Sequence, residues 1–158
     1  MKKVFITLVV LVFAFNLNTS AQATQDKRIR VVAVFAHPDD ADSKMGGTAA
    51  LLAKMGVAVK FVALTNGDAG HYAEGGGVLG QRRREEAQRA AKKYGIDEYV
   101  VLNNHDGELL PDLNARMQVI REIRKWNADV VLGLRPNDYH PDHRNAGKLV
   151  EDASYMVA

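Results

Sequence analysis

The sequence predicts an α/β protein, a Rossmann-like, doubly wound and mostly parallel sheet with helices on both faces. Three observations predict it. Apolar β-branched runs alternate with helical segments four times along the chain, the pattern of repeated strand-helix units. The first run, IRVVAVFA at 29–36, is almost continuously apolar, as a strand buried on both faces must be. At 158 residues and 47% hydrophobic, the chain can enclose one core and gives no sign of two.

Each later element follows from local signals. SKMGGTAALLAKMG (43–56) reads as a helix with Leu51, Leu52 and Met55 on one face and Gly56 as its stop. VAVKFVALT (57–65) is the second strand. A polar, glycine-rich loop then leads into QRRREEAQRAAKKYG (81–95), a strongly helical stretch ended by Gly95. EYVVL (98–102) is the third strand, and DLNARMQVIREIRKWN (112–127) the third helix, with Asp112 as N-cap. DVVLGL (129–134) is the fourth strand, and residues 145–158 begin a fourth helix. That helix runs apolar to the last residue with no closing strand, so the domain is expected to be incomplete at its C-terminus.

Residues 1–23 stand apart from this pattern. Two lysines, an apolar stretch and Ala21-Gln22-Ala23 form the outline of a secretory signal peptide cleaved after Ala23. Asn16, Asn18 and Thr19 cut the apolar run short of a bilayer span, so no stable membrane anchor is expected. The mature domain, residues 24–158, is therefore expected to be secreted or periplasmic. Removing the leader takes away Lys2 and Lys3 of the 21 basic residues and no acid, leaving the charges balanced against 19 acidic residues. A near-neutral domain gives no reason to expect a nucleic-acid partner. The chain has no cysteine, so any stapling must come from packing or a metal.

The chemistry gathers at two short motifs. In an open parallel sheet, ligands bind beyond the carboxyl ends of the strands, where strand order reverses. HPDDAD (37–42) follows the first strand and RPNDYHPDH (135–143) follows the fourth, so the two should face each other. Three of the five histidines lie in them, and all five fall in predicted loops. Both motifs contain His-Pro-Asp, in which proline pushes the preceding histidine into an extended geometry before the chain turns. His37 and Asp40 can reach a common point around such a turn. A third ligand from His140 or His143 would complete a site of two histidines and one carboxylate with an open position for water. A lone His-x-x-Asp would be read as a surface loop; two such clusters at the active end of one sheet are read as a metal site.

AHPDDAD with Gly46-Gly47, LTNGDAG, RRREEA ahead of Tyr94-Gly95, and RPNDYHPDH resemble the LmbE/PIG-L family of zinc-dependent de-N-acetylases, over about residues 30–152. The resemblance implies hydrolytic removal of an N-acetyl group from a small-molecule or glycoconjugate amino sugar of the N-acetylglucosamine type. It implies Zn2+ held by His37, Asp40 and His143, with Asp39 as general base. His140 would polarise the oxyanion or serve as acid, and Asp142 would orient it. Arg83 and Asp106 are implied as substrate contacts. Two departures accompany the match. Many members carry Glu directly after the two aspartates, whereas Ala41 stands here and Asp42, assigned a supporting role behind the ligands, is the nearest acid. Members also usually continue well past the second motif.

The remaining signals are weaker. Gly75, Gly77 and Gly80 match a dinucleotide fingerprint but do not directly follow a strand, so a mobile loop over the crevice is expected there instead. Asp68 is expected to shape its loop or support the ligands, His105 to be a surface loop histidine, and His71 has no assigned role. Two histidines and a carboxylate also describe non-haem iron(II) oxygenases. The strand-helix alternation and the second His-Pro-Asp argue against that class. A carbohydrate-binding module that keeps the metal site without turnover is the non-catalytic alternative.

Overall fold

The computed structural model describes residues 28–157, and the expected signal peptide lies outside them. Strands β1 (Arg30–Phe35), β2 (Ala58–Thr65), β3 (Glu98–Asn104) and β4 (Val130–Gly133) alternate with helices α1 (Asp40–Lys54), α2 (Gly76–Tyr94), α3 (Leu113–Trp126) and α4 (Pro141–Met156). All pairings are parallel and the sheet order is β3-β2-β1-β4. The chain therefore steps outward from β1 to β3, then returns to place β4 on the other side of β1. That reversal, between β1 and β4, opens the crevice at the carboxyl ends of both strands.

Successive side chains of a strand point to opposite faces, and the core divides accordingly. Val32, Val34, Val62 and Leu64 meet α3 and α4 through Val119, Ile120, Ile123 and Leu149. Ala33, Phe35, Phe61 and Ala63 meet α1 and α2 through Met45, Ala49, Ala87 and Ala91. Burial of each large apolar side chain is worth about 1.5–3 kcal/mol, so β1 and β2, buried on both faces, anchor the fold. β4 is a short edge strand and stays largely exposed.

Toward the amino ends of the strands, Lys60 of β2 carries its ammonium into the α3 layer. It meets Glu122 at 2.7 Å and Glu98 at 3.1 Å, with the Trp126 ring 5.7 Å away. Trp126 in turn donates its indole N–H to the Val31 carbonyl at 3.0 Å and lies under the Arg30 guanidinium.

Three helix starts differ from the sequence expectation, each for a local reason. α1 begins at Asp40 rather than Ser43, and its buried stripe is Ala41, Met45 and Ala49; Leu51 and Met55, on the row turned away from the sheet, are exposed. α2 begins at Gly76, so the glycine run expected to form a mobile loop is its first turn. Gly75 caps it in an extended conformation, Gly76 takes a left-handed φ of 64°, and the Gly76 N–H donates to the Asp68 carbonyl at 2.8 Å. α4 begins at Pro141 instead of Asn145, because proline is preorganised for a first helical position and His140 caps it. The cap that Asp112 was expected to form on α3 is present, its carboxylate accepting from the Ala115 N–H at 2.8 Å. A Cβ at Gly147 would lie 2.6 Å from the Leu134 carbonyl oxygen, so only glycine lets α4 press this closely on the end of β4.

Candidate metal and active site

The HPDD segment forms the turn from β1 into α1, and the HPDH segment the turn from the β4 loop into α4. Adjacency of β1 and β4 brings the two turns together. Asp40 and His143 lie in the first turns of their helices, not in loops as expected, which fixes their backbones by helical hydrogen bonding. Gly67, with φ 69°, sits where a Cβ would be 3.0 Å from the Pro38 ring, so the loop after β2 closes directly over the first motif.

Three donors converge. His37 Nδ1 lies 3.2 Å from His143 Nε2 and 3.3 Å from Asp40 Oδ2, and His143 Nε2 lies 3.1 Å from Asp40 Oδ1. The two histidine nitrogens meet different Asp40 oxygens, and each separation is close to the about 3.3 Å between ligand atoms of a tetrahedral zinc with bonds of about 2.0–2.1 Å. Two further donor groups overlap it. Nitrogens of His37, His140 and His143 lie within 4.8 Å of one another, and so do donor atoms of His37, Asp106 and Asp142. The donor chemistry is mixed imidazole and carboxylate, which suits zinc and does not by itself distinguish it from other divalent ions.

The far nitrogens of both rings meet carboxylates. His37 Nε2 lies 3.0 Å from Asp106 and 3.3 Å from Asp142; His143 Nδ1 lies 2.9 Å from Asp138. Burial alone pulls the His37 imidazolium down, but hydrogen bonds and charges from Asp106 and Asp40 outweigh it and raise the ring to about 10. Burial likewise pushes the Asp40 carboxyl up, and His37, Lys44 and His143 together bring it well below the usual carboxylate range. Asp106 is lowered chiefly by its bond to His37, and Asp138 by its bond to His143. The centre is thus rich in carboxylate charge that asks for a cation.

The two adjacent acids of the first motif part company. Asp40 is buried among the donors, while the Asp39 side chain is 59% exposed, lines the cleft and accepts from Arg83 at 2.9 Å. Arg83, expected at the substrate, is therefore also tied to Asp39 and to Glu86. His140 accepts the Asp142 backbone N–H on Nδ1 at 3.2 Å, which assigns the ring proton of the neutral form to Nε2.

Other expected roles are redrawn. The Asp142 carboxylate does not touch the His140 ring it was expected to orient. It accepts the Gly107 N–H at 2.7 Å and the Leu109 N–H at 3.2 Å, and so ties the loop after β3 to α4. Asp106 points at His37, closer to the donors than a substrate contact alone would require. Asp42 touches no ligand. Its carboxylate accepts from the Tyr99 hydroxyl at 2.9 Å, which also reaches the Pro38 carbonyl, so Asp42 steadies the turn through Tyr99. Burial and the Asp42 charge keep that hydroxyl protonated. Asp68 bridges two loops, accepting from the Asp106 N–H and pairing with the exposed ring of His105. His71 accepts the Ala73 and Glu74 N–H groups and shapes its own loop.

Two residues escaped the sequence reading. Asp138 lies in an irregular loop where no period marks it, although its place five residues before His143 was available. Tyr139 is exposed at the rim, its ring 5.3 Å from that of His143. Around them is a cleft of about 170 Å³ whose walls include Asp39, Gly70, Arg83, Asp106, Tyr139 and His140.

Comparison with known proteins places this site in context. Residues 32–154 match the PIG-L family, described as GlcNAc-PI de-N-acetylase. The diacetylchitobiose deacetylase of Thermococcus kodakarensis is 35% identical over 133 residues, which cover 80% of this chain and 49% of that protein. The N,N'-diacetylchitobiose deacetylase of Pyrococcus horikoshii, solved with an inhibitor, superimposes with a TM-score of 0.77 at 32% identity, covering 82% of this chain and 51% of that one. GalB, the 4-carboxy-2-hydroxymuconate hydratase of Pseudomonas putida KT2440, gives a TM-score of 0.74 at 26% identity over 81% of this chain and 56% of that one. The chain spans about half the length of these proteins.

Proposed function

The chain belongs to the PIG-L family of GlcNAc-PI de-N-acetylases, and from that premise we propose that it is a zinc-dependent hydrolase that removes the acetyl group from the nitrogen of an N-acetylglucosamine-type amino sugar. The observation that carries this is the convergence of His37, Asp40 and His143, whose nearest donor atoms lie 3.1–3.3 Å apart, beside an exposed second acid, Asp39. Zinc held by those three residues would act as a Lewis acid and lower the pKa of water toward about 7.

The chain's own residues supply the rest. Asp39, next to the donors but turned to the cleft, takes a proton from the water that attacks the amide carbonyl. The new C–O bond pushes the carbonyl electrons onto oxygen, and the Nε2–H of His140 donates to that oxyanion. The C–N bond then breaks as the proton held by Asp39 passes to the nitrogen, giving a free amine and acetic acid, whose remaining proton is lost to solvent to leave acetate. Arg83 and Asp106, on the cleft wall, are proposed to meet sugar hydroxyls while holding Asp39 and His37. The leader-like residues 1–23 support export, which N-terminal sequencing of the mature protein would test.

The test is acetate release from a panel of N-acetylated sugars by the 158-residue chain with zinc, beside Asp39→Asn. Release by the parent and a loss of roughly 10²-fold or more in the variant are expected. A folded, zinc-loaded parent that binds the sugars and releases nothing would make the chain a carbohydrate-binding module. The likeness to GalB favours a second reading, water addition to an unsaturated acid. Hydration of such an acid without any acetate release would replace the first reading with it.

A further inference from the structure

We propose that Asp138 is the positioning residue for His143, its carboxylate taking the Nδ1 hydrogen and so turning the Nε2 lone pair onto the centre shared with His37 and Asp40. The proposal rests on reading that centre as a metal site. A neutral imidazole has one protonated nitrogen and one lone pair, and an ionised carboxylate can only accept. The nitrogen that meets Asp138 at 2.9 Å must therefore carry the hydrogen.

Asp138 is built to stay in place. Its side chain is 3% exposed, although it lies in the loop after β4. Arg135 reaches its other carboxylate oxygen at 3.3 Å, and Arg144 donates to the backbone carbonyls of Asp138 at 2.8 Å and Tyr139 at 3.0 Å. The carboxylate thus braces the ring from outside α4, the helix that carries His143. The second histidine of the centre supplies an internal comparison. Among the described residues, His37 Nε2 faces two carboxylates, Asp106 and Asp142, whereas His143 Nδ1 faces Asp138 alone. Removing one charge should therefore be felt more at His143 than at His37.

Zinc affinity, measured on the 158-residue chain by competition with a chromophoric chelator, tests this without any substrate. Asp138→Asn keeps the shape of the side chain but removes its charge, and an amide can also turn its NH2 toward Nδ1 and select the wrong tautomer. Affinity should fall about 10–100-fold, the usual cost of losing such a partner. Asp106→Asn should lose less, because Asp142 remains. The unfolding midpoint should fall less in the metal-free protein than with zinc for Asp138→Asn, because the contacts of Asp138 with His143 and Arg135 exist without metal. Parent-like affinity in that variant overturns the proposal while leaving the metal site standing. An equal fall in the metal-free midpoint overturns it too, because the role is then structural. A parent chain that binds no zinc removes the metal site itself and the proposal with it.

Discussion

Two clusters of buried charge lie at opposite ends of one sheet, and they are balanced differently. At the amino ends of the strands, Lys60, 2% exposed, sits between Glu122 and Glu98, and Lys125 reaches Glu122 from the surface. Every charge there has a fixed opposite partner. At the carboxyl ends, the carboxylates of Asp40, Asp106, Asp138 and Asp142 are all buried around His37 and His143. The permanent cations that touch them, Lys44 and Arg135, lie partly in solvent. The first cluster is complete as folded and holds α3 on β2. The second reaches neutrality only by protonating its histidines or by taking up a cation, which is what separates a structural ion pair from a binding site.

The largest expected effect breaks the comparison from the functional side. Stripping metal with a chelator should abolish acetate release, and adding zinc should restore it. The same treatment should lower the unfolding midpoint, because a metal present at about 100 times its dissociation constant adds about 2.7 kcal/mol to the native state. Activity and midpoint that ignore the chelator would mean that the upper cluster, at the carboxyl ends, is no more a metal site than the lower one, at the amino ends.

The lower cluster should show the opposite profile. Glu122→Ala leaves Lys60 buried with, among the described residues, only the half-exposed Glu98 as an acidic partner, and should cost about 3 kcal/mol in denaturant unfolding. Zinc affinity should not change. Replacing both partners, Lys60→Met with Glu122→Leu, should recover most of that stability, since a buried pair is often no better than apolar residues of similar volume. A single variant that is as stable as the parent would show that Glu98 alone suffices.

This division also marks what the sequence could disclose. β1 and β2 were legible because burial on both faces leaves unbroken apolar runs, and the meeting of the two histidine motifs followed from strand alternation alone. The helix starts at Asp40, Gly76 and Pro141 were not, because polar or glycine residues there read as loop while tertiary contacts make them helical. Pro141 was the missed signal, since proline after a capping residue marks a first helical turn. Asp42 was given a supporting role but no partner, and Asp142 was expected to orient His140 whereas its carboxylate meets the loop after β3: spacing says which residues are neighbours in the chain, not which way a carboxylate turns. Asp138 was invisible for the same reason, its role arising only when the β4 loop folds back on α4.

The smallest effect sharpens the comparison through acid. Burial pushes the Glu122 carboxyl up, but hydrogen bonds from Lys60 and Lys125 outweigh it and hold the carboxyl below its ordinary 4.5. A group lowered in the folded state binds protons more weakly than in the unfolded chain. Its contribution is therefore present above pH 4.5 and is lost as the pH falls through the folded value. Glu122→Gln removes that contribution, so the stability gap between parent and variant should be widest near neutral pH and should close as the pH falls below 4.5. With the proposed zinc bound, the upper cluster would lose stability in acid for another reason, because metal ligands must be deprotonated, and this loss should survive in the variant. Unfolding free energies of the zinc-loaded parent and variant across that range separate the two. A gap that stays constant with pH would mean that the Lys60 pair carries no proton-linked stability, and that the lower cluster's contribution is packing alone.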